Sequence, residues 1–313
     1  MIKFKYILII ILISSCQSGS ENNDHWGGIS PDFISAVDIS YYPTILENGA
    51  LFYNVQGNQI NFLNSLIENG VNTIRLRLWV NPINDSSSFN EVKEFSALLK
   101  SLGFKIWITP HFSDTWAHPG QQQIPGSWES MNFDELKTQV YSYTSQIMSQ
   151  IEPDYIQIGN EINTGILFPF GDIQNNSIQF IELLNQGVNA VRSNSNITKI
   201  ILHFAGYDGS QWFFNLVDQV DYDIIGISYY PIWHGKSLDE LQIELTELSD
   251  NFEKEILIAE TAYPFTLGWN DWTNNIVGLE EQLILPDYPA TPNGQQSFIR
   301  DLKSLIFDIN NGI

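Results

Sequence analysis

Short apolar runs alternate with longer amphipathic segments along most of the chain. The predicted strands are 35–40, 72–80, 105–111, 155–161, 199–204, 223–230 and 255–260. Between them, segments such as "NEVKEFSALLKSLG", "FDELKTQVYSYTSQIMSQI" and "SIQFIELLNQGVNAVRSN" have the three- and four-residue apolar spacing of helices. Alternating strands and helices indicate a parallel sheet covered by helices, and this number of units favours a (β/α)8 TIM barrel over an open doubly wound sheet.

The eighth unit of this barrel is incomplete in the sequence. After Glu260 come a long loop and a last helical segment, "NGQQSFIRDLKSLIFDIN", and the sequence ends at 311–313, where an eighth strand should begin. We therefore expect residues 31–313 to form a single catalytic barrel domain that lacks its eighth strand because the sequence is truncated. No glycine-rich phosphate-binding fingerprint follows any predicted strand, which excludes dinucleotide-binding and P-loop proteins.

The N-terminus has the pattern of an export signal. Lys3 and Lys5 precede an apolar run over 6–13 that is too short to span a bilayer. The following "ISSC" resembles a bacterial lipobox, which predicts that 1–15 is a lipoprotein signal peptide and that Cys16 is lipidated. Cys16 is the only cysteine, and the polar stretch that follows it to residue 30 is typical of a flexible tether. We expect an exported lipoprotein, in the outer membrane or at the cell surface.

Charge and aromatic content narrow the class of partner. With 14 Lys and Arg against 36 Asp and Glu, the formal net charge is -22. A nucleic acid or an anionic membrane surface would be repelled, so contact with a membrane is expected only through the lipid anchor. Nine Trp, 13 Tyr and 19 Phe are more aromatic residues than a core of this size usually needs, and exposed rings stack on the faces of sugars.

Every predicted strand ends in a polar or titratable side chain. These residues are Asp38, Arg75, Arg77, His111, Asn160, Glu161, His203, Tyr229, Tyr230 and Glu260. Active sites of TIM barrels lie at the carboxyl ends of the strands, so we expect the whole set to meet at one mouth. Any one of them has a plain structural explanation as a satisfied polar residue; the set together predicts an active site.

Glu161 and Glu260 are the candidate catalytic pair. They end the fourth and seventh predicted strands and should face each other across the barrel, as the two carboxylates of a glycosidase do. One must hold a proton near neutral pH while the other stays ionised. We expect Asn160 to bind a sugar hydroxyl, Tyr229 to orient Glu260, and Arg75 or Arg77 to keep the nucleophile ionised.

Six blocks together resemble one family. "DISYYPTILENG", "VNTIRLRLWVNP", "HFSDTWAHPGQQ", "YIQIGNEINTGILFP", "IGISYYPIWHG" and "AETAYPFT" are similar, in this order, to the blocks of glycoside hydrolase family 53, the arabinogalactan endo-β-1,4-galactanases. The resemblance covers about residues 36–310. It implies a retaining clan A barrel with Glu161 as acid/base and Glu260 as nucleophile, acting on galactan or type I arabinogalactan with no required cofactor.

The resemblance also implies supporting residues and shows departures. Substrate-binding or supporting roles are expected for Asp38, Arg75, Arg77, Trp79, His111, Asp114, Trp116, Asn160, His203, Tyr229 and Trp233, and Trp128 and Trp269 are further candidates to line a groove. Thr109-Pro110 stands where the family usually has an Asp near His111, and the Trp of the family's eighth strand lies beyond this sequence. Asn270, Asp271 and Asn274, with Asn275, are oxygen ligands for a possible structural Ca2+ in the loop after strand seven.

Two other functions stay open at this point. One is a different clan A β-glycanase, such as a mannanase or cellulase, with the same pair of glutamates. The other is a cell-surface lipoprotein that binds glycans without cleaving them, which the presence of both glutamates argues against.

Overall fold

A computed structural model describes residues 33–269 and 275–313. The strands of the described residues, numbered in chain order, are β1 (Ala36–Asp38), β2 (Phe52–Tyr53), β3 (Gln59–Ile60), β4 (Thr73–Leu78), β5 (Lys105–Pro110), β6 (Tyr155–Gln157), β7 (Gly165–Ile166), β8 (Gly171–Asp172), β9 (Lys199–Ala205), β10 (Ile224–Ser228) and β11 (Glu255–Glu260). The predicted signal peptide, Cys16 and nearly all of the predicted tether lie outside the described residues.

Seven of these strands form one parallel sheet. Its order is β1-β4-β5-β6-β9-β10-β11, which is also their order along the chain. The other four strands form two separate hairpins, β2-β3 and β7-β8. These seven are the predicted strands, in the predicted order. The predicted (β/α)8 class of fold is therefore confirmed, with seven strands of the barrel wall in the described part of the chain.

The chain end meets the outer edge of β11. Ile256 N–H donates to Asn311 O at 2.9 Å, and Ile313 N–H donates to Ile256 O at 3.0 Å. Gly312 thereby forms a parallel bridge with Ile256. An eighth strand, which we predicted to be missing, does not appear among the described residues; this single bridge lies at the edge where it would pair.

The helices of the described residues cover the sheet. They are α1 (Tyr42–Glu47), α2 (Phe62–Glu68), α3 (Phe89–Ser101), α4 (Phe133–Gln150), α5 (Ile173–Asn194), α6 (Ser210–Leu216), α7 (Pro231–His234), α8 (Leu238–Phe252) and α9 (Pro292–Phe307). Side-chain caps begin the long ones: Asn132 and Glu135 form a capping box on α4, and Ser88 caps α3. Over the described ranges, none of these helices has the length and apolar character needed to cross a membrane.

The sheet contains both an apolar cluster and buried polar side chains. The cluster consists of buried Trp107, Tyr155, Ile201, Ile224, Leu257 and Ala259, with Ile34 and Ile313 against them. Arg75, His203 and Ser228 are buried polar residues of the same sheet. Arg75 adjoins the cluster, because its guanidinium carbon lies 5.4 Å from the ring centroid of Trp107.

Candidate active site

An arginine at the centre of the mouth joins three strands. Arg75 in β4 donates from Nη1 to Asp38 Oδ2 at 2.9 Å and from Nη2 to Glu260 Oε1 at 2.7 Å. The same Nη2 donates to Asn160 Oδ1 at 2.9 Å. Burial alone would lower the pKa of Arg75, but Glu260 and Asp38 raise it above its ordinary value. Of the two arginines that we expected to contact the nucleophile, Arg75 is therefore the one that does.

Glu260 is held by a cation and a phenol. Oε1 accepts from Arg75, and Oε2 accepts from the hydroxyl of Tyr230 at 3.0 Å. Burial and the charge of Glu260 raise the pKa of Tyr230, so the phenol keeps its proton and acts as donor. Our expectation that Tyr229 orients Glu260 is wrong: its side chain is fully buried, and its hydroxyl donates to Gly235 O at 3.0 Å.

Glu161 has different surroundings from Glu260. Its Oε1 accepts a hydrogen bond from Ser228 Oγ at 2.7 Å, and it makes no ion pair in the described part of the chain. Burial, followed by the charge of Glu260, raises the pKa of Glu161 to about 7, against the opposing effects of Ser228 and Arg75. Near neutral pH, Glu161 is therefore the carboxyl group that holds a proton.

His203 lies beneath Glu161 in the centre of the sheet. Its Nδ1 is 3.2 Å from the backbone nitrogen of Glu161, and its Nε2 is 2.8 Å from Ser228 Oγ. The ring is fully buried, and burial together with Arg75 holds the pKa of His203 well below its ordinary value. A neutral imidazole thus contacts both the backbone of Glu161 and the hydroxyl that binds its carboxyl group.

Asn160 is fixed by the loop above β5. Its Nδ2 donates to Ala117 O at 2.9 Å, and its backbone carbonyl accepts from Gln122 Nε2 at 2.9 Å. Gln122 Nε2 also donates to Glu161 O at 3.1 Å. The side chain of Asn160 is 3% exposed, so it lies in the floor of the site beside Arg75.

Arg77 occupies an aromatic cage and forms no ion pair with a carboxylate among residues 33–269 and 275–313. Its guanidinium carbon lies 4.4, 4.5 and 4.2 Å from the ring centroids of Tyr41, Trp79 and Trp116. Its Nε donates to Ser87 Oγ at 3.1 Å. The expectation that Arg77 is an alternative partner of the nucleophile is therefore wrong. Its guanidinium instead holds the three surrounding rings in place through cation–π contacts.

His111 and Asp114 support the loop after β5. His111 Nδ1 accepts from the backbone N–H of Ala117 at 3.1 Å, and the imidazole lies against Trp79 and Trp116. Asp114 accepts from the backbone N–H groups of Asn81 and Gly126, each at 2.9 Å. Both carboxylate oxygens of Asp114 are thus used to hold neighbouring loops together.

The predicted groove aromatics fall into two groups. Trp116, Trp233 and Trp269 are 44%, 60% and 53% exposed, which leaves their faces available to a ligand. Trp79 is 8% exposed and lies against Arg77. Trp128 is 3% exposed and packs edge-on against Tyr143, so our expectation that it lines a groove is wrong.

Ser228 and Tyr230 contact the two glutamates, and neither contact was predicted from the sequence. A strand turns alternate side chains to opposite faces, so a buried serine at 228 implies that residue 230 shares its face and that Tyr229 does not. That signal was available in "IGISYY". Gln122, which braces Asn160 and Glu161, carries no signal of this kind, because glutamine is common in polar loops. Gln157, which also braces Asn160, interrupts the apolar run of β6, and that interruption was a signal in the sequence.

The predicted calcium ligands Asn270, Asp271 and Asn274 lie outside the described residues. Asn275 is described, and its Nδ2 is 3.5 Å from Gly268 O. Among residues 33–269 and 275–313, no group of three or more His, Cys, Asp or Glu side chains has the arrangement of a metal site. Calcium at this loop stays a prediction.

The geometry provides two carboxyl groups in different surroundings. The pKa of Glu161 is raised to about 7, whereas Glu260 is paired with Arg75. An acid and a nucleophile at one mouth are what the double displacement of a glycoside requires.

Comparison with known proteins agrees with this chemistry. A family model described as "Glycosyl hydrolase family 53" matches residues 34–313. The solved Ignisphaera aggregans GH53 catalytic domain has a TM-score of 0.85 and 36% identity, over 92% of this chain and 85% of that chain. A solved structure of fungal β-1,4-galactanases has a TM-score of 0.79 and 28% identity, over 89% and 86%. An arabinogalactan endo-β-1,4-galactanase of Cellvibrio japonicus is 32% identical over 95% of this chain and 81% of its own length.

Proposed function

The chain belongs to glycosyl hydrolase family 53, and we propose that it is an endo-acting β-1,4-galactanase that cleaves galactan and type I arabinogalactan with retention of anomeric configuration. The family resemblance of the sequence is thereby confirmed, and the chain is a glycosidase. The observation that carries the proposal is the unequal pair: Glu161 holds a proton near neutral pH, and Glu260 is ion-paired with Arg75 at 2.7 Å.

In the first step Glu260 attacks the anomeric carbon of a β-linked galactose. Glu161 gives its proton to the departing glycosidic oxygen, so the bond to the leaving chain breaks as the bond to Glu260 forms. Tyr230 and Arg75 keep the attacking carboxylate oriented. Glu161, now ionised, then removes a proton from water, which attacks the covalent intermediate and releases the sugar with its original β configuration.

Exposed rings near the mouth are suited to a chain of sugars. Trp116 is held against the Arg77 cage, and Trp233 lies edge-on to Tyr230, with ring centroids 5.2 Å apart. Both rings expose a large part of their surface. We expect them to stack on galactosyl residues on either side of the cleaved bond, which favours cleavage inside a polymer.

A digestion experiment tests the substrate. The purified protein should release short oligosaccharides from linear β-1,4-galactan, as measured by chromatography of the products. It should leave β-mannan and cellulose essentially intact. Preferred cleavage of mannan or cellulose would instead identify another clan A β-glycanase. No contact among the described residues specifically favours that alternative.

A variant separates hydrolysis from binding. Glu260→Ala should abolish cleavage of galactan and leave its affinity within about threefold, because only the attacking group is lost. Glu247→Ala, which removes an exposed carboxylate on α8, is the matched control and should keep full activity. Unchanged turnover by Glu260→Ala would contradict the mechanism, and galactan binding without cleavage by the wild type would identify a glycan-binding lipoprotein.

Export and anchoring at the outer membrane or cell surface are part of this proposal. The supporting feature is Cys16 at the end of a signal-like segment, as the only cysteine of the sequence. Cys16→Ser should move the protein from the membrane fraction to the soluble fraction without changing its specific activity. Fractionation followed by immunoblotting measures this, and an unchanged membrane fraction would contradict it.

The two-carboxylate mechanism needs no cofactor, and a calcium ion would have a structural role only. Asn270, Asp271 and Asn274 supply suitable oxygen atoms in the sequence. If they hold calcium, a chelator should lower the melting temperature by several degrees. An unchanged melting temperature would contradict the calcium site.

A further inference from the structure

One buried hydroxyl lies between the proposed acid and a buried histidine. Ser228, the last residue of β10, is fully buried. Its Oγ is 2.7 Å from Glu161 Oε1 and 2.8 Å from His203 Nε2. A serine at this depth needs partners for its hydroxyl, and here one of them is the carboxyl group proposed to donate a proton.

The direction of these hydrogen bonds follows from groups that have only one possible role. The backbone N–H of Glu161 is a donor and points at His203 Nδ1 at 3.2 Å. Gln157 Nε2, which also donates to Gly159 O, is 2.9 Å from the same nitrogen. Nδ1 therefore accepts, and the single proton of the neutral ring is on Nε2.

The hydroxyl of Ser228 is then directed toward Glu161. Because Nε2–H of His203 donates to Ser228 Oγ, the hydroxyl proton is free to donate elsewhere, and Glu161 Oε1 is the acceptor at 2.7 Å. Asn160 Oδ1 lies 3.2 Å from His203 Nδ1, but two acceptors form no hydrogen bond with each other. Asn160 Oδ1 accepts from Arg75 Nη2 and Gln157 Nε2 instead. The chain of donors thus runs from His203 through Ser228 to Oε1.

From this geometry we propose that Ser228, directed by His203, is a positioning residue that occupies Oε1 of Glu161 and so assigns the transferable proton to Oε2. The inference rests on the proposed glycosidase function. Within the described residues, Oε2 makes no hydrogen bond, so it is the oxygen free to meet a glycosidic oxygen. Without Ser228, the carboxyl group would rotate and the proton would be shared between its two oxygens.

The groups that face Glu161 set the expected change with pH. Glu260 on β11 raises its pKa, whereas Ser228 on β10 and Arg75 on β4 lower it. His203 on β9 is neutral, and Tyr230 keeps its proton. Removal of the Ser228 hydroxyl takes away a donor to the ionised form of Glu161, so the pKa should rise.

The test compares two leaving groups. Ser228→Ala should lower kcat/KM on β-1,4-galactan about 10- to 100-fold, because a sugar leaving group needs a well-placed acid. On a 4-nitrophenyl β-1,4-galactooligosaccharide the loss should be only about threefold, since that leaving group departs without protonation. The alkaline limb of kcat/KM on galactan should move up by about one pH unit.

Two further variants keep the test decisive. Ser96→Ala removes another buried serine hydroxyl, on α3. It should change neither the ratio of kcat/KM on the two substrates nor the pH profile of kcat/KM on galactan. Ser228→Cys keeps a side chain of similar size with a weaker donor, and should show the same substrate-dependent loss to a smaller degree. It serves in place of Ser228→Ala if that variant does not fold.

Equal losses of activity on both substrates, or an alkaline limb that stays in place, would overturn the inference for Ser228. That result would still leave the galactanase function standing, because the wild type would cleave galactan normally. Failure of the wild type to cleave galactan would instead contradict the proposed function, and this inference with it.

Discussion

Two residues of the same type acquire different chemistry from their neighbours. Glu260 meets a guanidinium and a phenol, and both of them donate hydrogen bonds to its carboxylate oxygens. Glu161 meets one hydroxyl and the charge of Glu260, and burial raises its pKa to about 7. Their surroundings, and not their side chains, therefore distinguish the proposed acid from the proposed nucleophile.

A pair of adjacent tyrosines tests which hydroxyl serves Glu260. Tyr230→Phe should lower kcat on galactan about 10- to 100-fold, because a hydrogen bond to a charged group is lost. Tyr229→Phe removes only the bond to Gly235 O, so it should lower stability by about 1 kcal/mol and leave kcat almost unchanged. Kinetics and thermal unfolding of both variants measure this. The opposite ranking of the two kcat values would show that Tyr229 is the partner.

The raised pKa of Glu161 predicts a pH-dependent stability. The ordinary pKa of a glutamate is 4.5, and the pKa of Glu161 in the folded protein is about 7. Between these two pH values, the folded protein therefore keeps a proton on Glu161 that the unfolded chain has lost. The stability linked to that proton is complete below pH 4.5 and is lost as the pH rises through about 7. Glu161→Gln cannot ionise and should be about 2 kcal/mol more stable than the wild type at pH 8, with most of that advantage gone at pH 4.

Denaturant unfolding of both proteins at the two pH values measures this difference. Glu247→Gln, on the exposed face of α8, is the control and should show no such dependence. An advantage for Glu161→Gln of the same size at pH 4 and pH 8 would contradict the assignment of the proton.

The sequence predicted that polar residues meet at the strand ends, and it did not predict their pairings. Arg75 and Arg77 point the same way along β4, but Arg75 reaches Glu260 and Arg77 is enclosed by three rings. Which of the two arginines reaches Glu260 depends on how β4 is aligned with its neighbouring strands and on where two loops place their aromatic residues. Such contacts between distant parts of the chain leave no local pattern in the sequence.

At the scale of elements, the turn after β6 sets the position of the acid. Gly159 has φ +82°, and Glu161 itself has φ +46°, a conformation that non-glycine residues seldom adopt. Two hydrogen bonds hold this turn: Gln122 Nε2 donates to the carbonyl of Glu161, and the backbone N–H of Glu161 donates to His203 Nδ1. Local strain at the proposed acid is thus maintained by neighbouring elements.

A glycine pair tests the turn. At Gly159 a Cβ would lie 2.6 Å from Ile162 Cγ2, whereas at Gly57, with φ +78°, nothing lies within 4 Å. Gly57→Ala should cost about 1 kcal/mol from its conformation alone, and Gly159→Ala about 3 kcal/mol, because the clash adds to the same strain. Gly159→Ala should also lose activity. Chemical denaturation measures both, and equal costs would contradict a tight turn.

The seven strands of the sheet were predicted, including β1 and β6, which have three residues each, and so were the helical segments of α2, α3, α4, α5, α8 and α9. Three short helices and the two hairpins were not predicted. Helices α1, α6 and α7 have four to seven residues, and the hairpin strands two each. Segments this short contain too few repeats for a period to be read, and tertiary contacts define them.

At the scale of the whole molecule, a parallel sheet collects residues that are distant in sequence. Asp38, Arg75 and Glu260 come from three different strands and Asn160 from the turn after a fourth, and the guanidinium of Arg75 contacts the other three residues. This convergence follows from strand order alone, since every strand of the sheet runs the same way. The formal charge of -22 agrees with a neutral polysaccharide as substrate.

The most direct test of the central claim is the anomeric configuration of an azide product. Glu260→Ala and Glu161→Ala would each be incubated with sodium azide and a 4-nitrophenyl β-1,4-galactobioside, and the glycosyl azide would be identified by proton NMR. If Glu260 is the nucleophile, azide takes its place and Glu260→Ala gives the α-azide. If Glu161 is the acid/base, azide attacks the covalent intermediate and Glu161→Ala gives the β-azide. The reversed pair of products, or no azide product from either variant, would contradict the account.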